Sequence, residues 1–145
     1  VRARRHSIGR PVSLQGIGLH LGQECTLTFH PSPSGSGITF RRTDLPATPT
    51  VHARAELAVL TERHTQLGVD PASVHTVEHV LAAVAGLEID DIRIDLDAAE
   101  PPILDGSARP FHDALLSAGV VDVPGEVEFL RLRAPLTVRD GSSTY

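Results

Sequence analysis

Two stretches of this chain alternate strictly between apolar and polar residues, and they limit its possible folds more than any other feature. From Glu24 to His30, Cys25, Leu27 and Phe29 alternate with Thr26, Thr28 and His30. From Asp91 to Asp97, Ile92, Ile94 and Leu96 alternate with Arg93, Asp95 and Asp97. Successive strand side chains point to opposite faces, so each stretch reads as a strand with one face in a core and one toward solvent. The run from Ser73 to Leu87 has helical spacing and can cover such a face, with Val77, Leu81 and Val84 on one stripe. Ser73 is placed to cap that helix and Gly86 to end it. A second helix is expected over Pro110 to Ala118, closed by Gly119, because proline suits a first helical turn and Phe111 and Leu115 then face the core. Further strands are expected at Arg10 to Leu19, Ile38 to Arg42 and around Val51 to Leu60, with Pro31 to Gly37 as a turn and Pro46 to Pro49 as a break. Together these elements make an α+β fold, a two-layer sandwich of a mostly antiparallel sheet packed against two helices.

A chain of 145 residues can bury about 68–70% of its unfolded surface, so a core forms without disulfides, and the lone Cys25 could not make one internally. A reducing, cytoplasmic setting fits. No apolar run approaches the ~18 residues of a membrane span. The basic start (Arg2, Arg4, Arg5, Arg10) is not followed by an apolar export signal. A net charge of −5 argues against nucleic-acid binding. All 13 basic residues are arginine, which fits coding bias in a GC-rich genome better than an arginine-specific function. Beyond the Pro124-Gly125 break, Val127 to Arg133 and Leu136 to Arg139 read as new strands. The expected organisation is an α+β domain over residues 1–124 and the opening strands of a truncated second domain over 125–145. Valine at position 1 also suggests an incomplete or differently started chain.

The most chemical segment is His75-Thr76-Val77-Glu78-His79. On a continuous helix, His75 and His79 would stack on one face, with Glu78 turned about 100° away yet within reach of a ligand held at His79. This H-x-x-E-H pattern matches inverted zincin peptidases, in which two helix-borne histidines hold zinc and the glutamate is a general base. An amphipathic helix whose polar face happens to carry these residues satisfies the same pattern.

Two other segments bear on the choice: Gly16-Ile17-Gly18-Leu19-His20, and the run from Glu100 through Asp105-Gly106-Ser107 to Pro110-Phe111. With them come Phe40-Arg41-Arg42-Thr43-Asp44-Leu45, Thr76-Val77-Glu78-His79 and Gly86-Leu87-Glu88-Ile89-Asp90-Asp91-Ile92. In this order, over roughly residues 6 to 140, the chain resembles the N-terminal half of the zinc-dependent UDP-3-O-acyl-N-acetylglucosamine deacetylases of lipid A synthesis.

The resemblance implies a zinc amidohydrolase acting on a UDP-linked, acylated amino sugar, with His79 as a metal ligand and Glu78 as the base that activates water. It implies two similar domains enclosing the site, the second supplying two more Zn²⁺ ligands from a His-x-x-x-Asp helix that this chain lacks, so the chain alone is expected to be inactive. His75 is then not a ligand. His20 and His64 become candidate substrate-binding residues, although a structural hydrogen bond serves His20 equally and a solvated loop serves His64. Asp105-Gly106-Ser107 reads as a turn that launches the second helix. Glu100 reads either as an anchor of this same loop through backbone N–H groups or as a solvated residue. Two alternatives stay open: a noncatalytic binding module of the same fold, and a zinc peptidase using His75 and His79 together.

Overall fold

The computed structural model describes residues 4–59, 61–129 and 131–145. In chain order the strands are β1 (Arg4–Ile8), β2 (Val12–Ile17), β3 (Glu24–Pro31), β4 (Ile38–Arg42), β5 (Thr50–His52), β6 (Ala58–Val59) and β7 (Gln66–Leu67). Helix α1 (Glu78–Gly86) leads to β8 (Ile92–Leu96), and α2 (Arg109–Ala118) to β9 (Val120–Glu126), β10 (Arg139–Asp140) and β11 (Ser143–Thr144).

The two alternating stretches are β3 and β8, adjacent antiparallel strands inside a five-stranded sheet of order β2-β3-β8-β4-β5. Their apolar faces bury Leu27, Phe29, Ile92, Ile94 and Leu96 completely. The other face of β8 carries Asp95, which pairs with Arg41 of the neighbouring strand, Arg93 Nε at 3.0 Å and His30 Nε2 at 3.2 Å. Opposite charges across neighbouring strands support that pairing. The sheet is antiparallel except at β4–β8, which is parallel. β5 returns antiparallel beside β4 before the chain leaves the sheet, and after α1 the strand β8 enters on the other side of β4, running in the direction of β4. Both helices face the apolar side: Val80, Ala83 and Val84 of α1 and Phe111, Leu115 and Ala118 of α2 join one buried cluster with the sheet. The α+β fold with two helices on a mainly antiparallel sheet is the one expected.

Several boundaries differ. The first helix begins at Glu78, not Ser73. Val74 instead forms a bridge with Leu67, the His75 N–H donates to the Ala99 carbonyl at 2.9 Å, and Thr76 has φ +52°. A left-handed threonine cannot lie within a right-handed helix, so helical geometry starts only after it. Ser73 therefore caps nothing, and its hydroxyl donates to Asp70. At the other end Gly86 stays helical, and Glu88 makes the left-handed turn at φ +52°. The strand expected around Val51 to Leu60 is divided into β5, a 3-10 turn at Ala55–Leu57 and β6; Leu60 lies outside the described residues.

Four strands among the described residues, β1, β7, β9 and β11, have no counterpart among the expected elements. β1 pairs with β9, which runs Val120–Glu126 across the expected domain boundary at 124/125. The strand expected over Val127 to Arg133 is not formed by the described residues there, Leu130 lying outside them, and of Leu136 to Arg139 only Arg139 enters a strand. Arg2 of the basic start is also outside the described residues. No helix among the described residues is long and apolar enough to cross a membrane.

Candidate functional site

Glu100 organises the region where the motifs meet. Its residue is 1% exposed, and its carboxylate accepts the His20 N–H at 2.9 Å, the Leu21 N–H at 2.8 Å and the Thr76 hydroxyl at 2.6 Å. Glu100 is an anchor, not a solvated residue, but the backbone N–H groups it holds belong to the glycine loop and not, as expected, to the loop of Asp105. A buried carboxylate is tolerable only with such donors, because an unpaired charge in a protein interior costs several kcal/mol or more. Neither Gly16 nor Gly18 has a positive φ. They are needed for closeness: a Cβ on Gly18 would stand 2.5 Å from Glu100 Oε2, and one on Gly16 would stand 3.0 Å from Pro102 Cβ.

Through Glu100, the glycine loop reaches Thr76 and so the start of α1. Glu78 opens that helix, where a carboxylate is favoured by the unpaired N–H groups and the helix dipole. One of its oxygens, Oε2, accepts the Thr65 N–H at 3.2 Å, which ties the loop bearing His64 to the helix start. His79 follows, half-buried. Among the described residues no hydrogen bond engages its imidazole.

His20, His64 and His75, far apart in sequence, form a column of rings. The His20 and His64 centroids are 4.9 Å apart, those of His64 and His75 are 5.3 Å apart, and His64 Nε2 lies 3.2 Å from His75 Nδ1. Burial lowers the His75 pKa, helped by nearby His64 and Arg42 and opposed by Asp70 and Glu100, so this ring is neutral at pH 7. The helical stacking of His75 on His79 that the peptidase reading requires is not formed. His75 precedes α1, is separated from it by the left-handed Thr76, and is engaged by His64 and Ser73. No group of three or more His, Cys, Asp or Glu among the described residues is arranged to hold a metal ion. What the described residues provide is a carboxylate followed in sequence by an imidazole that no hydrogen bond engages, both at a helix start to which the loop bearing His64 is tied.

The turn at Asp105 is as expected: Asp105 Oδ1 accepts the Ser107 N–H at 2.9 Å and the Ser107 hydroxyl at 2.8 Å, and the Ser107 oxygen accepts the Arg109 N–H at 3.1 Å at the start of α2. Elsewhere, an open cleft of about 480 Å³ is lined by Gln15, Gly16, Ile17, Glu24, Cys25, Thr26 and Asp97 and contains none of the candidate residues. Burial and then Asp97 push the Cys25 thiol up to about 12, leaving it unreactive at neutral pH. The contact between His64 and His75 had no signal in the sequence, because residue identity does not reveal that one loop folds over another.

The family model for LpxC: UDP-3-O-acyl N-acetylglycosamine deacetylase matches residues 5–145. The chain belongs to this deacetylase family. It is 46% identical over 137 residues to the UDP-3-O-acyl-N-acetylglucosamine deacetylase of Myxococcus xanthus, an alignment covering 94% of this chain and 44% of that protein. The enzyme of the same name in Bdellovibrio bacteriovorus is 40% identical over 135 residues, 93% of this chain and 45% of its own length. The bifunctional enzyme LpxC/FabZ of Chlorobaculum tepidum is 48% identical over 118 residues, 81% of this chain and 25% of that protein. The deacetylase-family chain described here thus spans less than half the length of these curated relatives.

Proposed function

We propose that this chain supplies the base and one metal ligand of a zinc-dependent deacetylase that removes the N-acetyl group from UDP-3-O-acyl-N-acetylglucosamine in lipid A biosynthesis, in the cytoplasm. The observation that carries the reading is the Glu78-His79 pair at the start of α1 in a chain belonging to the deacetylase family. His79 fits a zinc ligand: a half-buried imidazole, with no hydrogen bond to a described residue, offers a nitrogen lone pair of the kind zinc prefers. Zinc held there would supply Lewis acidity, easing deprotonation of water near neutral pH.

The chain's own residues do the following. Glu78, steadied at Oε2 by the Thr65 N–H, takes the proton from the attacking water as its oxygen bonds to the amide carbonyl carbon. The C–N bond then breaks as the sugar nitrogen gains a proton equivalent to the one Glu78 took from the water, and acetate and the free amine depart. His20 and His64 contact the substrate from the adjoining loops. A catalytic zinc normally has three protein ligands and an open position, so one histidine does not complete the centre. The remaining two ligands belong to a second domain, opening at about residue 125, that closes over this one, and the chain alone does not turn over.

The test uses the complete polypeptide that carries this chain. Glu78→Gln is expected to keep its zinc and lose about 10²–10⁴ in kcat, the usual contribution of a general base. His79→Ala is expected to lose the metal. Full deacetylation by Glu78→Gln, or undiminished zinc in His79→Ala, would overturn the assignment.

A further inference from the structure

A directed chain of hydrogen bonds ends on His64, and the proposed reaction does not account for it. The Ser73 hydroxyl donates to Asp70 Oδ1. The same oxygen lies 3.2 Å from His75 Nε2. A hydroxyl has one proton, and with that proton on Asp70 the Ser73 oxygen can only accept, so His75 Nε2 must carry hydrogen. His75 is neutral at pH 7, for burial and the neighbouring His64 and Arg42 outweigh Asp70 and Glu100. A neutral imidazole carries a single hydrogen, and with it on Nε2 the Nδ1 atom is a bare lone pair. His64 Nε2, 3.2 Å from that lone pair, is then the donor.

The rest of the surroundings also restrain His64. Its carbonyl accepts the Thr61 hydroxyl, the next residue, Thr65, is bound to Glu78, and its ring lies 4.9 Å from that of His20. His75 takes no part in the Glu78-His79 pair, yet it faces the one atom of His64 that decides which nitrogen is free.

We infer that His75 is a positioning residue which, with Ser73 and Asp70, holds His64 in its Nε2–H tautomer and so leaves His64 Nδ1 as a hydrogen-bond acceptor for a hydroxyl or amide proton of a bound ligand. The ligand role rests on the deacetylase reading, whereas the tautomer does not. Orientation of one imidazole by a partner on its other nitrogen is a general way of selecting tautomers.

The first arm of the test is long-range ¹H–¹⁵N correlation spectroscopy of the histidine rings in the ¹⁵N-labelled chain at pH 7.5. His64 is expected as the Nε2–H tautomer. His75→Leu should convert it to a mixture, while His75→Asn, whose side-chain oxygen can stand in for Nδ1, should restore the single form. Ser73→Ala provides a second route should His75→Leu fail to fold, since losing the fixed acceptor lets His75 change tautomer and frees His64. An Nδ1–H His64 in the unaltered chain, or an unchanged His64 in both His75→Leu and Ser73→Ala, would overturn the inference.

The second arm uses the complete polypeptide. His75→Leu should raise KM by the inverse of the remaining Nε2–H fraction, about twofold for an equal mixture, with kcat nearly constant and recovery in His75→Asn. A tautomer change with unaltered KM would remove the ligand role. Absence of deacetylase activity in the unaltered complete protein would instead remove the reading on which that role rests, and the spectra would stand.

Discussion

At Gly18 the difference between a hydrogen and a methyl group decides whether the site region can assemble. An alanine Cβ there would lie 2.5 Å from Glu100 Oε2 and 3.1 Å from both Cβ and Cδ of the same side chain. Glu100 cannot swing away without abandoning the His20 and Leu21 N–H groups and the Thr76 hydroxyl. Gly18→Ala is therefore expected to destabilise the chain by about 1–3 kcal/mol, in the range of other overpacking changes. Urea unfolding measures this directly, and an unchanged midpoint would refute it. Asp91 gives a pH signature. Its burial would raise its pKa, but the Arg5 guanidinium, bound at 2.8 and 2.9 Å, and the backbone N–H groups of Gly37 and Gly35 outweigh burial and hold it below the usual value. A carboxylate depressed on folding stabilises the native state at pH values above its unfolded pKa of about 3.9, and that contribution is lost as pH falls through the folded value. Asp91→Asn is expected to be less stable than the unaltered chain at pH 7, with the gap narrowing between pH 5 and pH 2 in thermal melts. A gap constant over that range would count against the ion pair as its source.

Among the elements, those whose partners lie on a single face could be read from the sequence. β3 and β8 alternate because one face of each meets the core. α2 was legible from its ends: proline sits in its first turn, and Gly119, at φ +79°, closes it. Leu115 is fully buried on the inner side of α2, and Leu115→Ala is expected to cost about 2–5 kcal/mol through lost burial and the cavity left behind. Exposed Leu116, one position on, serves as the control, since its truncation should change the unfolding free energy by far less. The start of α1 was not legible. Residues 73–77 continue the apolar spacing of the helix that follows, but Leu67, Ala99 and Glu100 take up the hydrogen-bonding groups of Val74, His75 and Thr76. Apolar spacing favours one structure there, and partners outside the segment, on both sides of it in the chain, enforce another.

For the whole molecule, the consequence concerns metal. The described residues bring no three ligating side chains together, so this chain by itself is expected to bind Zn²⁺ weakly and without fixed stoichiometry in isothermal titration calorimetry. Tight one-to-one binding would show that the chain completes a centre unaided. The β1–β9 ribbon belongs to this scale as well. Arg5 bonds the buried Asp91 carboxylate, and the Ser7 hydroxyl donates to the Asp91 carbonyl at 2.6 Å. β1 is thereby fixed at the entrance to β8.

By itself, the sequence determined the faces of β3 and β8, the position of α2, the presence of two layers, the turn at Asp105 and the adjacency of Glu78 and His79. Each of these follows from periodicity or from residues within one or two turns of each other. Tertiary structure decided the rest: that β4 runs parallel to β8, that β1 and β9 form a ribbon, that α1 starts at Glu78, that Glu100 is an anchor, and that His75 turns to His64 instead of His79. These outcomes depend on which distant groups satisfy a buried carboxylate or a backbone N–H. A linear pattern records what a residue can do, while the folded chain supplies the partner that selects among those possibilities.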